Sequence, residues 1–150
     1  MKYAHLIKLS VFSYEHENSE EIKNAFLELF PFSLEANRPA IKITDASGFN
    51  GEKITIFEIE LAKDSLINEF LDNLLNNLGK GQKERILTEA ESRLGSDFNF
   101  FIRIDKNSWV NGRKMVLTDS GKCFHVKISI AAFPKKMGVA LNIVKKMLSK

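Results

Sequence analysis

The spacing of apolar residues along this chain switches between a period of two and a period near 3.6, the periods of a β-strand and an α-helix. The segment FNFFIRID, residues 98–105, has an apolar residue at every second position. By contrast, LINEFLDNLLNNL, residues 66–78, repeats its apolar residues at intervals of three and four. The two patterns alternate more than once, so the chain must combine a sheet with helices.

The first part of the sequence predicts a strand, a helix and a hairpin. Residues 3–13 alternate as a strand does, and both of its faces are rather apolar. Asn18, with Glu21 three residues later, resembles a capping box, and the helix that follows ends at Pro31. The hairpin consists of two β-rich runs joined by the loop ASGFNG, namely Ala40 to Asp45 and Lys53 to Leu61.

The rest of the sequence predicts two helices, three strands and a last helix. Ser65 caps a helix that ends at Gly79, and a shorter helix closes at Gly95. Asn111-Gly112 favours a tight turn between two strands. Pro134 precedes the last helix, which is amphipathic. The three strands lie near 98–105, 112–118 and 122–131.

The resulting order, β-α-β-β-α-α-β-β-β-α, fits an α+β fold with one largely antiparallel sheet and helices packed on one face. A chain of 150 residues is long enough to bury one hydrophobic core and short for two. We therefore expect a single two-layer domain over residues 1–150.

Basic residues are concentrated in the last third of the chain. Residues 1–102 contain 11 Lys and Arg against 17 Asp and Glu, a net charge of −6, whereas residues 103–150 contain 11 against 2, a net charge of +9. This asymmetry is typical of a protein that binds a polyanion. The alternative is that these cations only solvate one face and pair with acids from the rest of the chain.

Cysteine usage and hydropathy exclude several classes of protein. The sole cysteine, Cys123, rules out an intramolecular disulfide and a cysteine-rich zinc site. The first residues lack the apolar stretch of a secretory signal, and no apolar run approaches the roughly 18 residues that cross a bilayer. We expect a soluble cytoplasmic protein with no membrane partner and no cofactor, and the sequence favours no particular oligomeric state.

Two predicted strands bring basic and aromatic residues to one face of the sheet. On residues 98–105 and 122–131, the positions between the apolar ones include Arg103, His125 and Lys127. A base stacks on an aromatic ring or a guanidinium group, while its phosphate binds lysine. The predicted RNA contacts are Phe101, Arg103, Lys106, Arg113, Lys114, Lys127, Lys135 and Lys136.

Trp109 is the only tryptophan of the chain and lies in a polar connection next to the predicted tight turn. A tryptophan in such a place usually closes one end of a hydrophobic core. The alternative is that its ring stacks on a ligand.

Catalytic motifs are missing from the sequence. The three histidines are far apart and match no spacing of metal ligands, and no glycine-rich loop has the order of a phosphate-binding P-loop. Asp45, Asp105 and Asp119 could converge on Mg²⁺ as in a nuclease, although each lies where Asp often caps a helix or starts a turn. We expect no catalytic centre.

A family resemblance rests on two short motifs. Arg103, Asp105 and Lys106 form an Arg-x-Asp-Lys signature followed by Gly112, and residues 48–51 form a Gly-Phe-Asn-Gly loop. With these motifs, most of the chain resembles an archaeal family of small proteins. The resemblance extends from the first strand to about Phe133. Members of the family are described as RNA-binding proteins and predicted exosome subunits.

The resemblance implies a fold similar to that of the large-ribosomal-subunit protein that binds 5S rRNA. It also implies RNA binding without a catalytic centre, in RNA processing or degradation, with RNA and an RNA-processing complex as partners. Asn107 stands where the family has Gln. Two alternatives stay open: an interaction subunit that docks its basic third on an acidic protein surface, and a weak metal-dependent nuclease built on the three aspartates.

Overall fold

The computed structural model describes residues 2–37 and 39–149. These residues form five strands and six helices. The strands are β1 (Ala4–Tyr14), β2 (Lys42–Ser47), β3 (Lys53–Leu61), β4 (Asn99–Asp105) and β5 (Cys123–Ile130). The helices are α1 (Ser19–Leu27), α2 (Leu34–Asn37), α3 (Asp64–Thr88), α4 (Ala90–Arg93), α5 (Lys106–Gly112) and α6 (Met137–Leu148).

All five strands join one antiparallel sheet in the order β2-β3-β1-β5-β4. The central strand β1 pairs with β3, where Leu9 is opposite Ile59, and with β5, where Leu9 is opposite Val126. Such central pairing explains why both faces of the first predicted strand are rather apolar. The α+β class with an antiparallel sheet is therefore confirmed.

One face of the sheet carries the hydrophobic core. Helices α1 and α3 pack against β1, and α6 packs against β5. Phe26 of α1 stacks on Phe124 of β5 with 6.3 Å between ring centroids, and Phe30 meets Phe70 of α3 at 5.5 Å. Full burial of such a side chain contributes about 1.5–3 kcal/mol, so these aromatic contacts hold the helical layer on the sheet.

The other face, which we call the open face, is formed by the residues that alternate with the core on three neighbouring strands. Its side chains are half-buried or exposed, whereas their neighbours in sequence are fully buried. The period of two along each strand produces this separation. The open face comprises Lys8, Ser10 and Phe12 on β1, His125 and Lys127 on β5, and Phe101 and Arg103 on β4.

Two glycines define turns that the sequence predicts. The first hairpin forms as β2 and β3, and Gly51 in its loop has a φ of 75°, a conformation that favours glycine. The chain also leaves helical geometry at Gly79, with a φ of 78°, so α3 is kinked at the predicted helix end. Among the residues described, no helix is both long and apolar enough to cross a membrane.

The predicted strand near 112–118 is wrong, and so is the tight turn at Asn111-Gly112. Residues 106–112 form helix α5 instead, because Asp105 caps it by accepting a hydrogen bond from the Ser108 backbone N–H at 3.0 Å. The helix ends at Arg113, whose left-handed φ of 52° reverses the chain. Only a single β-bridge, between Ile104 and Leu117, remains of the predicted strand pairing.

Trp109 closes one end of the core, as the first of its two interpretations predicts. It is 8% exposed and projects from α5 towards α1. Its indole Nε1–H donates to the carbonyl oxygen of Ala25 at 2.7 Å. This bond and the burial of the ring fix α5 against α1, so the ring is not available for stacking on a ligand.

Candidate nucleic-acid interface

The register of β1, β5 and β4 brings the predicted site residues of the strands together on the open face. Arg103 is directly opposite His125, and Phe101 is directly opposite Lys127. On the other side of β5, Lys8 of β1 is also opposite Lys127. Directly opposed residues have Cβ atoms about 4.5–5.5 Å apart, so these five side chains form one continuous patch.

The aromatic part of this patch is a pair of rings. The centroids of Phe101 and His125 lie 5.3 Å apart, with 38° between the ring planes. Arg93 of α4 approaches the edge of the pair, because its guanidinium Nη1 donates to the Phe101 carbonyl oxygen at 3.2 Å. Phe101 is half-buried by these neighbours, which leaves part of its ring accessible from the open face.

The cations of the patch are only partly neutralised. Lys8 forms a salt bridge with Glu58 of β3 at 3.1 Å. Within the described part of the chain, neither Arg103 nor Lys127 forms a salt bridge. Arg103 is anchored through one nitrogen, since Nη1 donates to the Asp119 carbonyl oxygen at 3.1 Å. The rest of its guanidinium group is available to an incoming acceptor.

The pKa of His125 reflects the positive charge around it. Burial lowers the pKa of His125 below its ordinary value of 6.5, and the neighbouring cations Arg103, Lys127 and Lys8 lower this pKa further. The ring is therefore neutral at pH 7, with one nitrogen as a donor and the other as an acceptor. A neutral imidazole among three cations is a surface suited to an anion rather than to a further cation.

The lowered pKa of His125 predicts how stability changes with pH. The unfolded chain takes up the proton near pH 6.5 while the folded protein resists it, so the free energy of unfolding should fall as the pH drops below 6.5. We expect His125→Gln to lose less stability than the native protein between pH 7.0 and 5.5, measured by urea denaturation. Carboxyl groups titrate below this window. Equal losses in the two proteins would contradict the burial argument.

Lys106, a predicted RNA contact, is buried beneath the open face instead of exposed on it. It is 3% exposed, and its Nζ donates to the Phe12 carbonyl oxygen at 2.7 Å and to the Glu17 carboxylate at 2.9 Å. The same Nζ lies 5.0 Å from the centroid of the Tyr14 ring. All of these partners belong to the end of β1 and the turn after it, so the side chain joins α5 to that turn.

Arg113 and Lys114 lie at the end of α5 and not on a hairpin. The Arg113 guanidinium pairs with Glu28, which lies just after α1, and its Nη1 also donates to the Trp109 carbonyl oxygen at 3.0 Å. Most of its donors are therefore engaged within the protein. Lys114 is exposed and forms no salt bridge with a described residue.

Lys135 and Lys136 are exposed residues that immediately precede α6. Lys135 borders a shallow depression together with Asn99 of β4 and Ser129 of β5. Asn99 and Ser129 form the cross-strand pair next in line to Phe101 and Lys127 on the open face. Lys135 thus extends the line of cations beyond one end of the patch, while Lys114 lies at the far end of α5.

The three aspartates of the nuclease alternative do not converge. Asp45 lies on the edge strand β2, whereas Asp105 ends the opposite edge strand β4. The third, Asp119, pairs with Arg85 at 3.2 Å. In residues 2–37 and 39–149, no group of three His, Cys, Asp or Glu side chains is placed to hold a metal ion.

Sequence reasoning missed the contribution of β1 to this surface. Lys8, Ser10 and Phe12 share the open face with His125 and Arg103. The available signal was the alternation within β1, which separates these three residues from the core positions. The sequence does not show that β1 is the strand next to β5, because pairing between segments over 100 residues apart leaves no local pattern.

Comparison with known proteins identifies a family, a relative and several solved structures. A family model described as RNA binding matches residues 6–130. The RNA-binding protein PAB1135 of Pyrococcus abyssi is 27% identical over 145 residues, which cover 97% of this chain and 94% of that protein.

Two solved structures have the same fold over nearly their whole length. Protein AF2318 from Archaeglobus fulgidus is 30% identical, with a TM-score of 0.85 and coverage of 96% of this chain and 99% of that one. Mth689 from Methanothermobacter thermautotrophicus, described as a DUF54 protein, is 23% identical, with a TM-score of 0.77 and coverage of 97% and 98%. The sheet and helices described above therefore form the same fold as these two proteins.

Proposed function

The chain belongs to this RNA-binding family, and on that premise we propose that it is a non-catalytic protein that holds RNA on the open face of its sheet. The phosphates bind Arg103, Lys127 and Lys8, and a base stacks on Phe101. Lys114, Lys135 and Lys136 lie beyond the patch and contact the RNA on either side of it. Lys106 and Arg113 are engaged within the protein and are not among the proposed phosphate contacts.

The observation that carries the proposal is the direct opposition of Lys8 and Lys127 across β1 and β5. Like charges that face each other across a sheet destabilise it. Arg103 adds a third positive charge next to His125, and Glu58 neutralises only Lys8. A bound polyanion relieves this repulsion and releases its own counterions, which is the main source of affinity for nucleic acid.

We propose that the protein acts in RNA processing or degradation, in the cytoplasm and within an RNA-processing complex. The support is the match to an RNA-binding family, together with the cations of the open face, which are suited to backbone phosphates. Such a face holds a substrate without cutting it. The chemistry would then belong to a partner in the complex.

The test is RNA binding at several salt concentrations. We expect the native protein to bind single-stranded RNA, with an affinity that falls steeply between 50 and 200 mM salt. The double variant Arg103→Gln/Lys127→Gln should bind about tenfold more weakly or worse, because it loses two charged contacts. Its log-log salt slope should be smaller by about 1.4, since each phosphate contact on a single strand contributes about 0.7. Fluorescence anisotropy measures both quantities.

Lys145→Gln/Lys146→Gln is the matched control. It removes the same net charge from exposed positions of α6, in the helical layer. If affinity depends on this face rather than on total charge, the control should retain nearly native binding and slope. Equal losses in the two double variants would contradict the proposal, as would a native protein that binds no RNA at 50 mM salt.

A further inference from the structure

A small cleft opens on the open face beside the aromatic pair. Its volume is about 220 Å³, and it lies between the second half of β1 and the turn that leads into β5. Neither the family comparison nor the phosphate contacts proposed above require it. The residues that line it include Ser10, Phe12, Arg103, Lys106, Cys123 and His125.

Two flat rings stand on the walls of this cleft. Phe12 is 44% exposed, an unusual state for a phenylalanine within the central strand of a sheet. Ser10 is directly opposite His125, so Phe12, two residues further along β1, is a diagonal neighbour of the imidazole. Diagonal neighbours have Cβ atoms about 7 Å apart. This Cβ spacing is about twice the roughly 3.5 Å contact distance between carbon atoms, which is the spacing of two residues that hold one planar base between their side chains.

Ser10 and His125 present polar atoms to the cleft that suit a ligand with both donors and acceptors. Within the described residues, the Ser10 hydroxyl and the two ring nitrogens of His125 make no hydrogen bond. A hydroxyl both donates and accepts, and a neutral imidazole does so through its two nitrogens. The edge of a nucleobase presents the same mixture of groups. Arg103 borders the cleft, where it can hold the phosphate of the same nucleotide.

We propose that this cleft receives one unpaired base of the bound RNA, stacked between Phe12 and His125 and hydrogen-bonded by Ser10. The inference rests on the proposed function, because it requires RNA on the open face. A site for one unpaired base requires that the ligand be single-stranded RNA or an unpaired nucleotide in a structured RNA. A base within a duplex is already stacked and cannot enter a cleft for one ring.

The experiment uses the full chain and a short uridine-rich single strand that carries one 2-aminopurine. Fluorescence anisotropy gives the affinity, and 2-aminopurine fluorescence reports stacking. We expect the native protein to quench this fluorescence on binding. Phe12→Ala should abolish most of the quenching and weaken binding by about 5-fold to 100-fold, the range expected for the loss of one stacked base. A fully paired duplex of the same sequence should bind more weakly and should not respond to Phe12→Ala.

Phe49→Ala is the matched control. Phe49 is fully exposed at the tip of the β2–β3 hairpin, so its removal deletes a phenylalanine of the surface away from the cleft. This variant should keep native affinity and quenching. Tight binding without quenching, or with Phe12→Ala equal to Phe49→Ala, would overturn the base site while leaving RNA binding on the open face intact. No binding of the single strand at 50 mM salt would overturn both proposals.

Discussion

Replacing Lys106 by Met is expected to lower the free energy of unfolding by about 3 kcal/mol. Met keeps the apolar stem of the side chain, but it removes the ammonium group that donates to the Glu17 carboxylate and to the Phe12 carbonyl oxygen. Breaking a buried pair in this way costs about 3–5 kcal/mol. The lower end applies here because the Glu17 side chain is 21% exposed. In thermal denaturation this corresponds to a loss of about 6–12 °C for a domain of this size.

A pH signature identifies the ion pair as the cause. Burial raises the pKa of Glu17, but hydrogen bonds from Lys106 and from the Tyr14 backbone lower it by more, so the net pKa lies below its ordinary value of 4.5. The stability from this pair is therefore present above pH 4.5 and is lost as the pH falls through the folded pKa. The difference between the native protein and Lys106→Met should shrink at lower pH.

Lys114→Met is the control for this prediction. Lys114 is exposed and forms no salt bridge with a described residue, so the change should stay within about 0.5 kcal/mol of the native stability. In the Lys106→Met background, Glu17→Gln should recover part of the loss, because it removes the unpaired charge. If Lys106→Met and Lys114→Met have the same stability, the buried pair is not the link between α5 and β1.

Trp109→Ala is expected to cost about 3–5 kcal/mol, the range for removing a large aromatic side chain from a core. The variant leaves a cavity between α5 and α1, and it removes the indole donor from the Ala25 carbonyl oxygen. Trp109→Phe should cost less, about 1–2 kcal/mol, because it keeps most of the apolar contact. Urea denaturation followed by far-ultraviolet circular dichroism measures both. A loss below 1 kcal/mol for Trp109→Ala would show that the ring does not close the core.

The strands were predictable wherever one face is buried and the other is not. Alternation along residues 98–105 and 122–131 identified β4 and β5 and assigned Phe101, Arg103, His125 and Lys127 to the same face. The register then makes them neighbours. This pattern can be recognised within a short segment, because every second residue is apolar in a strand with one buried face.

Helix α5 was not predictable from the same kind of pattern. It is a single short helix of 7 residues, too short for a helical period to stand out. Asn111-Gly112 is a strong turn signal in a hairpin, yet here it forms the end of a helix. The deciding contacts are the Asp105 cap and the indole bond to Ala25, and the second of these joins residues 84 positions apart.

Two residues of the Arg-x-Asp-Lys signature stabilise the fold and are not among the proposed RNA contacts. Asp105 caps α5, and Lys106 is buried against the end of β1. Arg103 is an exposed residue of the open face, directly opposite His125. From sequence alone, a lysine in a basic segment is predicted to be an exposed cation. The partner that buries Lys106, Glu17, lies 89 residues away.

The most direct test of where RNA binds is photo-cross-linking. Single-stranded RNA containing 4-thiouridine is bound to the full chain at low salt, irradiated, and the cross-linked peptides are identified by mass spectrometry. The prediction is that cross-links form within residues 4–14, 99–105 and 123–130, the strands that form the open face. Cross-links confined to residues 64–88 and 137–148, in the helical layer, would contradict it.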